Sequence, residues 1–326
     1  YPKCEMELGP PVLEVTGLTQ KGVFDNISFT LHKGEILGFS GLVGAGRTEV
    51  MLALLGLSDL TKGEVRKDGR MVHYKKFAQA IRAGIGLIPE DRKKQGLVQI
   101  ASISGNICMS SLKKIIRRGI LSKKLERRYA EEYIKALSIA APGPDTEVQY
   151  LSGGNQQKVV IAKWLMADSD IIIMDEPTLG LDPQGMEELL DLIKDLSVKD
   201  GRTIMLSSHQ LHQVQKVCDR VGIFVKGSLI ACGPIEVLGR QLEQEGHYVT
   251  EAETTQADEA LCEIIRQMET VSSVSLKKNR LTVESSADIR ASLARTLIQH
   301  GYDCVGLRQK GGDLDEIYRK YFEQAD

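Results

Sequence analysis

The chain has 326 residues, with 42 Lys plus Arg against 44 Asp plus Glu, a formal net charge of -2 and 42% apolar residues. This is the balance of a soluble globular protein rather than a disordered one, and no apolar run approaches the roughly 20 residues of a membrane-spanning helix. Near-neutral charge argues against a protein that coats nucleic acid, whose domains carry a strong basic excess, and the length suggests about two domains.

Strand-like and helix-like runs alternate through the first 240 residues or so. Residues 12–15, 27–31 and 35–40 carry short β-prone patterns broken by Gly17, Gly22 and Gly34. A glycine-rich turn at 41–48 follows, then an apolar stretch at 49–57 suited to a buried helix. Residues 85–89 read as a buried strand, and 101–140 as helices rich in Lys and Arg, ended by Pro142 and Pro144. A helix is expected after Leu151-Ser152-Gly153-Gly154. Ile171-Ile172-Ile173-Met174 then has the profile of a central parallel strand with Asp175 and Glu176 at its carboxyl edge. Strands at 203–207 and 221–225 complete an α/β pattern with a mainly parallel sheet.

Around residues 241–246 the chain turns polar and the pattern restarts. A strand at 247–250, a helix at 257–268, a hairpin of 274–277 and 281–284 about Asn279, a helix at 289–300 and a strand at 303–307 give the order β-α-β-β-α-β. That is the ferredoxin-like motif, with one more helix expected at 314–322. The expected organisation is therefore a domain at 1–245, with a helical subdomain at about 91–165, and a small α+β domain at 246–326. The cysteines at 4, 108, 218, 232, 262 and 304 form no CxxC pair or zinc spacing and read as buried thiols of a reducing compartment. The chain begins at Tyr1 without the basic-then-apolar pattern of a secretory signal, and reads as a trimmed fragment.

The run Gly41-Leu42-Val43-Gly44-Ala45-Gly46-Arg47-Thr48-Glu49 approximates the phosphate-loop pattern G-x-x-x-x-G-K-[ST], with Arg47 at the lysine position. In that pattern backbone N–H groups face phosphates, and the following helix presents its positive dipole end. Asp175-Glu176 would supply the other half of such a site: one acid for Mg2+, its neighbour to orient or deprotonate water. Leu151-Ser152-Gly153-Gly154-Asn155-Gln156-Gln157 precedes these acids and His209 follows them, in an order that chance does not produce.

On these residues the sequence is identified as resembling the ATP-binding cassette ATPases over about residues 11–240. The resemblance implies a P-loop NTPase cassette with a helical subdomain. Ser152, Gly153, Gly154 and Asn155 fall in the family signature, Asp175 in the second phosphate-site motif beside the catalytic Glu176, and Asp182 in the loop that touches a partner cassette. His209 takes the switch-histidine position. It implies ATP and Mg2+ as cofactors, with Gly41, Gly44, Ala45, Gly46, Arg47, Thr48, Glu49 and Glu90 around the nucleotide and Thr48 and Asp175 at the metal. The implied partners are a second cassette, in a homodimer or heterodimer, and a membrane permease, at the cytoplasmic face of the membrane.

Three positions depart from the usual pattern. Arg47 replaces the lysine, Glu90 stands where a glutamine is usual, and no aromatic residue occupies 19–23 to stack on adenine, Phe24 looking like core. A guanidinium fork cannot act as a compact point charge between phosphates, so hydrolysis at this chain's own site is expected to be slow or absent. The alternative function is then a nucleotide-binding, dimerising cassette that completes a partner's site. Residues 11–178 resemble the second cassette of sugar and nucleoside importer ATPases. Residues 179–326 resemble exporter-type single cassettes with a C-terminal extension, so the chain reads as a mosaic joined near 177–183. The basic stretch 113–128, with eight Lys or Arg and one Glu, is expected to be a solvated helical face, or else to lie near anionic lipid heads. Cassette proteins of DNA repair, chromosome structure or translation fit poorly, because only 104 positions separate Arg47 from Leu151, zinc cysteines are lacking and the translation type has two cassettes in one chain; no nucleic-acid partner is expected.

Overall fold

Ile171, Ile172, Ile173 and Met174 are all fully buried in the strand Ile171–Asp175. A strand apolar on both faces must be covered on both, and the sheet around it meets that demand. The computed structural model describes residues 8–310 apart from 236 and 239–247. The chain divides into two units, Tyr1–Cys232 and Gly233–Asp326, a division that falls ahead of the polar segment 241–246, which lies outside the described residues.

In the first unit six strands lie in the order Ser228–Gly233, Arg220–Val225, Ile36–Gly41, Thr203–Ser208, Ile171–Asp175, Ile85–Ile88. The pairings from Arg220–Val225 across to Ile85–Ile88 are parallel. The strand-like runs at 12–15 and 27–31 do not join this sheet. They extend to Pro11–Gln20 and Phe24–His32 and form a separate antiparallel sheet with Lys62–Lys67 and Arg70–Val72. Those last two strands escape a reading by apolar runs, because most of their side chains are exposed. Phe39 of the parallel sheet meets Phe29 of the antiparallel one edge-on, with ring centroids 5.0 Å apart, and packs against Phe224 at 4.9 Å. These rings join the two sheets through one core.

The helices Ile103–Cys108, Lys123–Ala136 and Gly153–Met166 pack on one another. The expectation of helix throughout 101–140 is corrected between them. Ile116–Arg117 and Ile120–Leu121 pair as a small antiparallel hairpin, turning through Arg118 and Gly119 with φ of 52° and 81°. Two successive left-handed residues are the signature of the hairpin turn that matches strand twist. The basic stretch 113–128 is therefore no continuous helical face.

In the second unit the strands lie in the order Val271–Lys277, Arg280–Ser285, Tyr248–Thr254, Cys304–Lys310, all antiparallel. Helices Glu259–Arg266 and Arg290–Gln299 complete the β-α-β-β-α-β order. Leu261, Ile265, Leu293 and Leu297 pack with Ala252, Leu281 and Val283 in a core of its own. Asp258 caps the first of these helices, accepting from Leu261 N at 2.9 Å. The helix expected at 314–322 lies outside the described residues. Cys108, Cys218 and Cys262 are buried thiols as expected, whereas Cys232 and Cys304 are only partly buried.

At Gly38, in the middle of the parallel sheet, an added Cβ would lie 2.5 Å from both Cys218 Sγ and Val214 Cγ1. Gly38→Ala is expected to lower the stability of this unit by about 1–3 kcal/mol through overpacking, read as an earlier midpoint in urea. Gly143→Ala meets nothing within 4 Å and is expected to leave the midpoint nearly unchanged.

Candidate functional site

Parallel register brings three strand ends to one edge. Ser207 pairs with Phe39 on one side and with Asp175 on the other, so Gly41, Glu176 and His209 emerge side by side at the carboxyl edge of the sheet. Ligands of open α/β sheets bind at such an edge.

The turn after Ile36–Gly41 is shaped by its glycines. Gly44 and Gly46 take φ of 80° and 94°, and at Gly41 a Cβ would lie 2.6 Å from the Phe224 carbonyl oxygen. The helix Arg47–Leu54 starts on Gly46 with no side-chain cap, and Glu49 is in its first turn. The first N–H groups of the helix are thus left for an outside acceptor. Ala45 accepts from Gly227 N at 3.1 Å, which pins the loop to the far strand pair.

Arg47 does not point out of this loop. It is 7% exposed, and its Nη2 lies 3.3 Å from Glu176 Oε1. Its Nη1 is buried without a partner among the described residues. A buried, unmatched N–H of a cation costs free energy that an anionic oxygen would recover, and that orphan, with the open loop N–H groups, fits a phosphate. Thr48 Oγ1 donates to Asp175 Oδ1 at 3.1 Å. A hydroxyl beside a carboxylate is the oxygen donor set that Mg2+ takes, usually with several waters.

Glu176 sits at φ 44°, a left-handed backbone that aims its carboxylate into the group. Oε1 accepts from Arg47 Nη2 and from His209 N at 2.9 Å; Oε2 accepts from Ser208 Oγ at 3.3 Å and lies 2.9 Å from His209 Nδ1. A carboxylate offers about four lone-pair sites, and three of them receive hydrogen bonds from Arg47, Ser208 and the His209 backbone. Arg47 and His209 thus flank the Glu176 carboxylate on both of its oxygens. Asp175 is 4% exposed, and burial pushes its carboxyl up from the ordinary 3.8 to about 6. The Thr48 hydroxyl opposes that rise, and the neighbouring charges of Glu90 and Glu176 add to it. Glu90, exposed just beyond Ile85–Ile88, thus acts on the same cluster. Phe24 is 3% exposed and belongs to the core.

Ser152, Gly153, Gly154 and Asn155 form a second cluster. Ser152 caps the helix Gly153–Met166, receiving Asn155 Nδ2 at 2.9 Å, while Asn155 Oδ1 accepts from Ala140 N at 2.8 Å. Asp182 is exposed at the start of the helix Pro183–Val198. Arg92 links these parts, although the spacing of motifs gave it no role. Its Nη1 donates to the Leu179 carbonyl at 2.8 Å and its Nη2 to Gly180 at 3.4 Å; a Cβ on Gly153 would lie 2.7 Å from Nη2. Thr178, Ser208 and Gln213 are likewise unforeseen. Thr178 Oγ1 donates to Gln213 Oε1 at 2.6 Å and Ser208 Oγ lies 3.5 Å from the same oxygen, a buried bridge from the acidic strand end to the His209 loop. Their polar side chains carry no sequence signal beyond standing beside Glu176 and His209.

A strand, a glycine loop opening a helix, and two acids on the neighbouring strand end define a P-loop nucleotide site. Residues 24–179 match the family model described as ABC transporter. It is 42% identical over 229 residues to the ribose import ATP-binding protein RbsA of Lacticaseibacillus paracasei, covering 70% of this chain and 46% of that protein. To RbsA of Bacillus subtilis it is 38% identical over 245 residues, covering 75% of this chain and 49% of that one. The chain therefore spans about half the length of these relatives. The matched length exceeds residues 11–178, so the similarity runs past the 177–183 junction. Among solved structures, cbiO1 of Clostridium perfringens, part of the ABC transporter complex cbiONQ, superposes with a TM-score of 0.61 at 24% identity, covering 71% of this chain and 92% of that one. A bacterial ABC transporter cassette solved as a dimer gives 0.59 at 23%, covering 68% and 98%. These two likenesses show the cassette fold.

Because the fold raises the Asp175 pKa, its contribution to stability is fully present below pH about 4 and is lost as pH rises through about 6. Asp175→Asn keeps an acceptor for Thr48 without the charge. Above pH 6 the ligand-free variant is expected to melt higher than wild type, by an amount up to the order of 3 kcal/mol. The gap should close below pH about 4, as thermal unfolding followed by circular dichroism across pH will show.

Proposed function

We propose that this chain is the ATP-binding and ATP-hydrolysing part of an ABC transporter of the sugar-import kind, acting with a second cassette and a membrane permease at the cytoplasmic face of the membrane. The carrying observation is the cluster of Arg47, Thr48, Asp175, Glu176 and His209 at one sheet edge. In this reading the backbone N–H groups of residues 44–48 and the Arg47 guanidinium hold the phosphates. Thr48 and Asp175 hold Mg2+, which when bound draws charge from the phosphate oxygens. Glu176 takes a proton from water once it is released from Arg47 and His209, and His209 then supports the terminal phosphate. Glu90 links the site to the permease-facing subdomain. Ser152, Gly153, Gly154 and Asn155, with Asp182, serve the ATP of the partner cassette. Similarity to proteins named for ribose import supports the direction and the substrate class.

A second reading, favoured by the Arg47 contact that occupies the Glu176 carboxylate, is that the chain's own site binds ATP but turns it over weakly, its signature completing a competent partner site. Steady-state phosphate release by wild type, Arg47→Lys and Glu176→Gln separates the two. Slow turnover in wild type, a gain with Arg47→Lys and a loss of about 100-fold or more with Glu176→Gln is expected if Arg47 restrains Glu176 as general base. Rapid wild-type hydrolysis unchanged by Arg47→Lys rejects the restraint, and hydrolysis indifferent to Glu176→Gln rejects the assignment of the base.

A further inference from the structure

The small hairpin at 116–121 is an anomaly on the surface of the first unit. Three of its four strand residues are aliphatic and exposed: Ile116 at 40%, Ile120 at 74% and Leu121 at 49%, with Leu112 at 44% just before them. Isolated exposed aliphatics are ordinary, but a group of them on one short hairpin marks a contact surface. Around them, residues 112–124 hold six Lys or Arg and no Asp or Glu. Lys114 is paired with Asp168 and Lys123 with Glu126. Lys113, Arg117, Arg118 and Lys124 are exposed and have no carboxylate partner among the described residues.

We propose that this hairpin is a membrane-surface anchor: Ile120 and Leu121 enter the headgroup–acyl boundary of a bilayer while Lys113, Arg117, Arg118 and Lys124 engage anionic lipid headgroups. An aliphatic tip ringed by unneutralised cations has the composition of an interfacial anchor, and each cation near an anionic leaflet adds to the attraction. The segment between Leu112 and Lys124 contains no aromatic residue, so nucleic-acid bases would find nothing to stack on. The hairpin is also already ordered. Ser122 N donates to the Ile115 carbonyl at 2.8 Å to close its base, and the two left-handed turn residues hold the tip. Little conformational freedom remains to be lost on insertion. The anchor rests on this surface alone and needs no permease, so it stands or falls separately from the transport reading.

Flotation of the full chain with phosphatidylcholine vesicles, with and without phosphatidylglycerol, tests it. Wild type is expected to bind the anionic vesicles, to leave pure phosphatidylcholine largely unbound, and to release as salt is raised. Arg117→Glu with Arg118→Glu should lower the partition coefficient by about tenfold or more. Ile120→Ser with Leu121→Ser should weaken binding while keeping its salt dependence. Lys33→Glu with Lys62→Glu, the same charge change at exposed sites elsewhere, should lower it much less. Far-ultraviolet circular dichroism and ATP binding confirm that each variant is folded. Absence of binding to anionic vesicles overturns the proposal. So does binding that the control pair weakens as much as the hairpin pair, and so does capture of a permease by this hairpin in detergent without any vesicle binding.

Discussion

The site depends on strand register. Because the strands Ile36–Gly41, Thr203–Ser208 and Ile171–Asp175 run parallel and level, a glycine loop, a pair of acids and a histidine that are far apart in the chain end on one line. A slip of one residue would turn each side chain to the other face. The fully buried run Ile171–Met174 seats the acidic strand end in the interior. The chemistry of the edge is thus held by the hydrophobic interior behind it.

At that edge, charge is balanced within the chain. Arg47 and Glu176 neutralise each other under cover, and a buried pair of this kind is a weak source of stability but a costly one to break from one side only. The same contact ties the proposed base to the phosphate loop, so a ligand that takes Arg47 also frees Glu176. Asp175 has no such cation among the described residues. It carries its burial as a raised pKa. Arg92, reaching Leu179, Gly180 and the start of the signature helix, makes the second cluster one mechanical piece.

Much of this was legible in the residues. The phosphate loop, Asp175, Glu176 and His209 were marked by type and spacing, and the six elements of the second unit by periodicity. The antiparallel strands Lys62–Lys67 and Arg70–Val72 were not, because an edge strand with exposed side chains has no apolar alternation to read. Nor was the hairpin at 116–121, whose basic residues suit a helix as well as a turn. Gly119 was its one local signal.

By itself the sequence determined the α/β class, the order of most elements and the residues from which a phosphate site is proposed, because these follow from apolar periodicity and from short motifs whose spacing is local. Only the tertiary structure decided which of those residues touch. That Arg47 turns inward onto Glu176, that three donors converge on one carboxylate, and that an aliphatic tip stands free among cations are consequences of packing between segments remote in the chain. No local pattern encodes them, since each depends on which way a side chain can turn once its neighbours are in place.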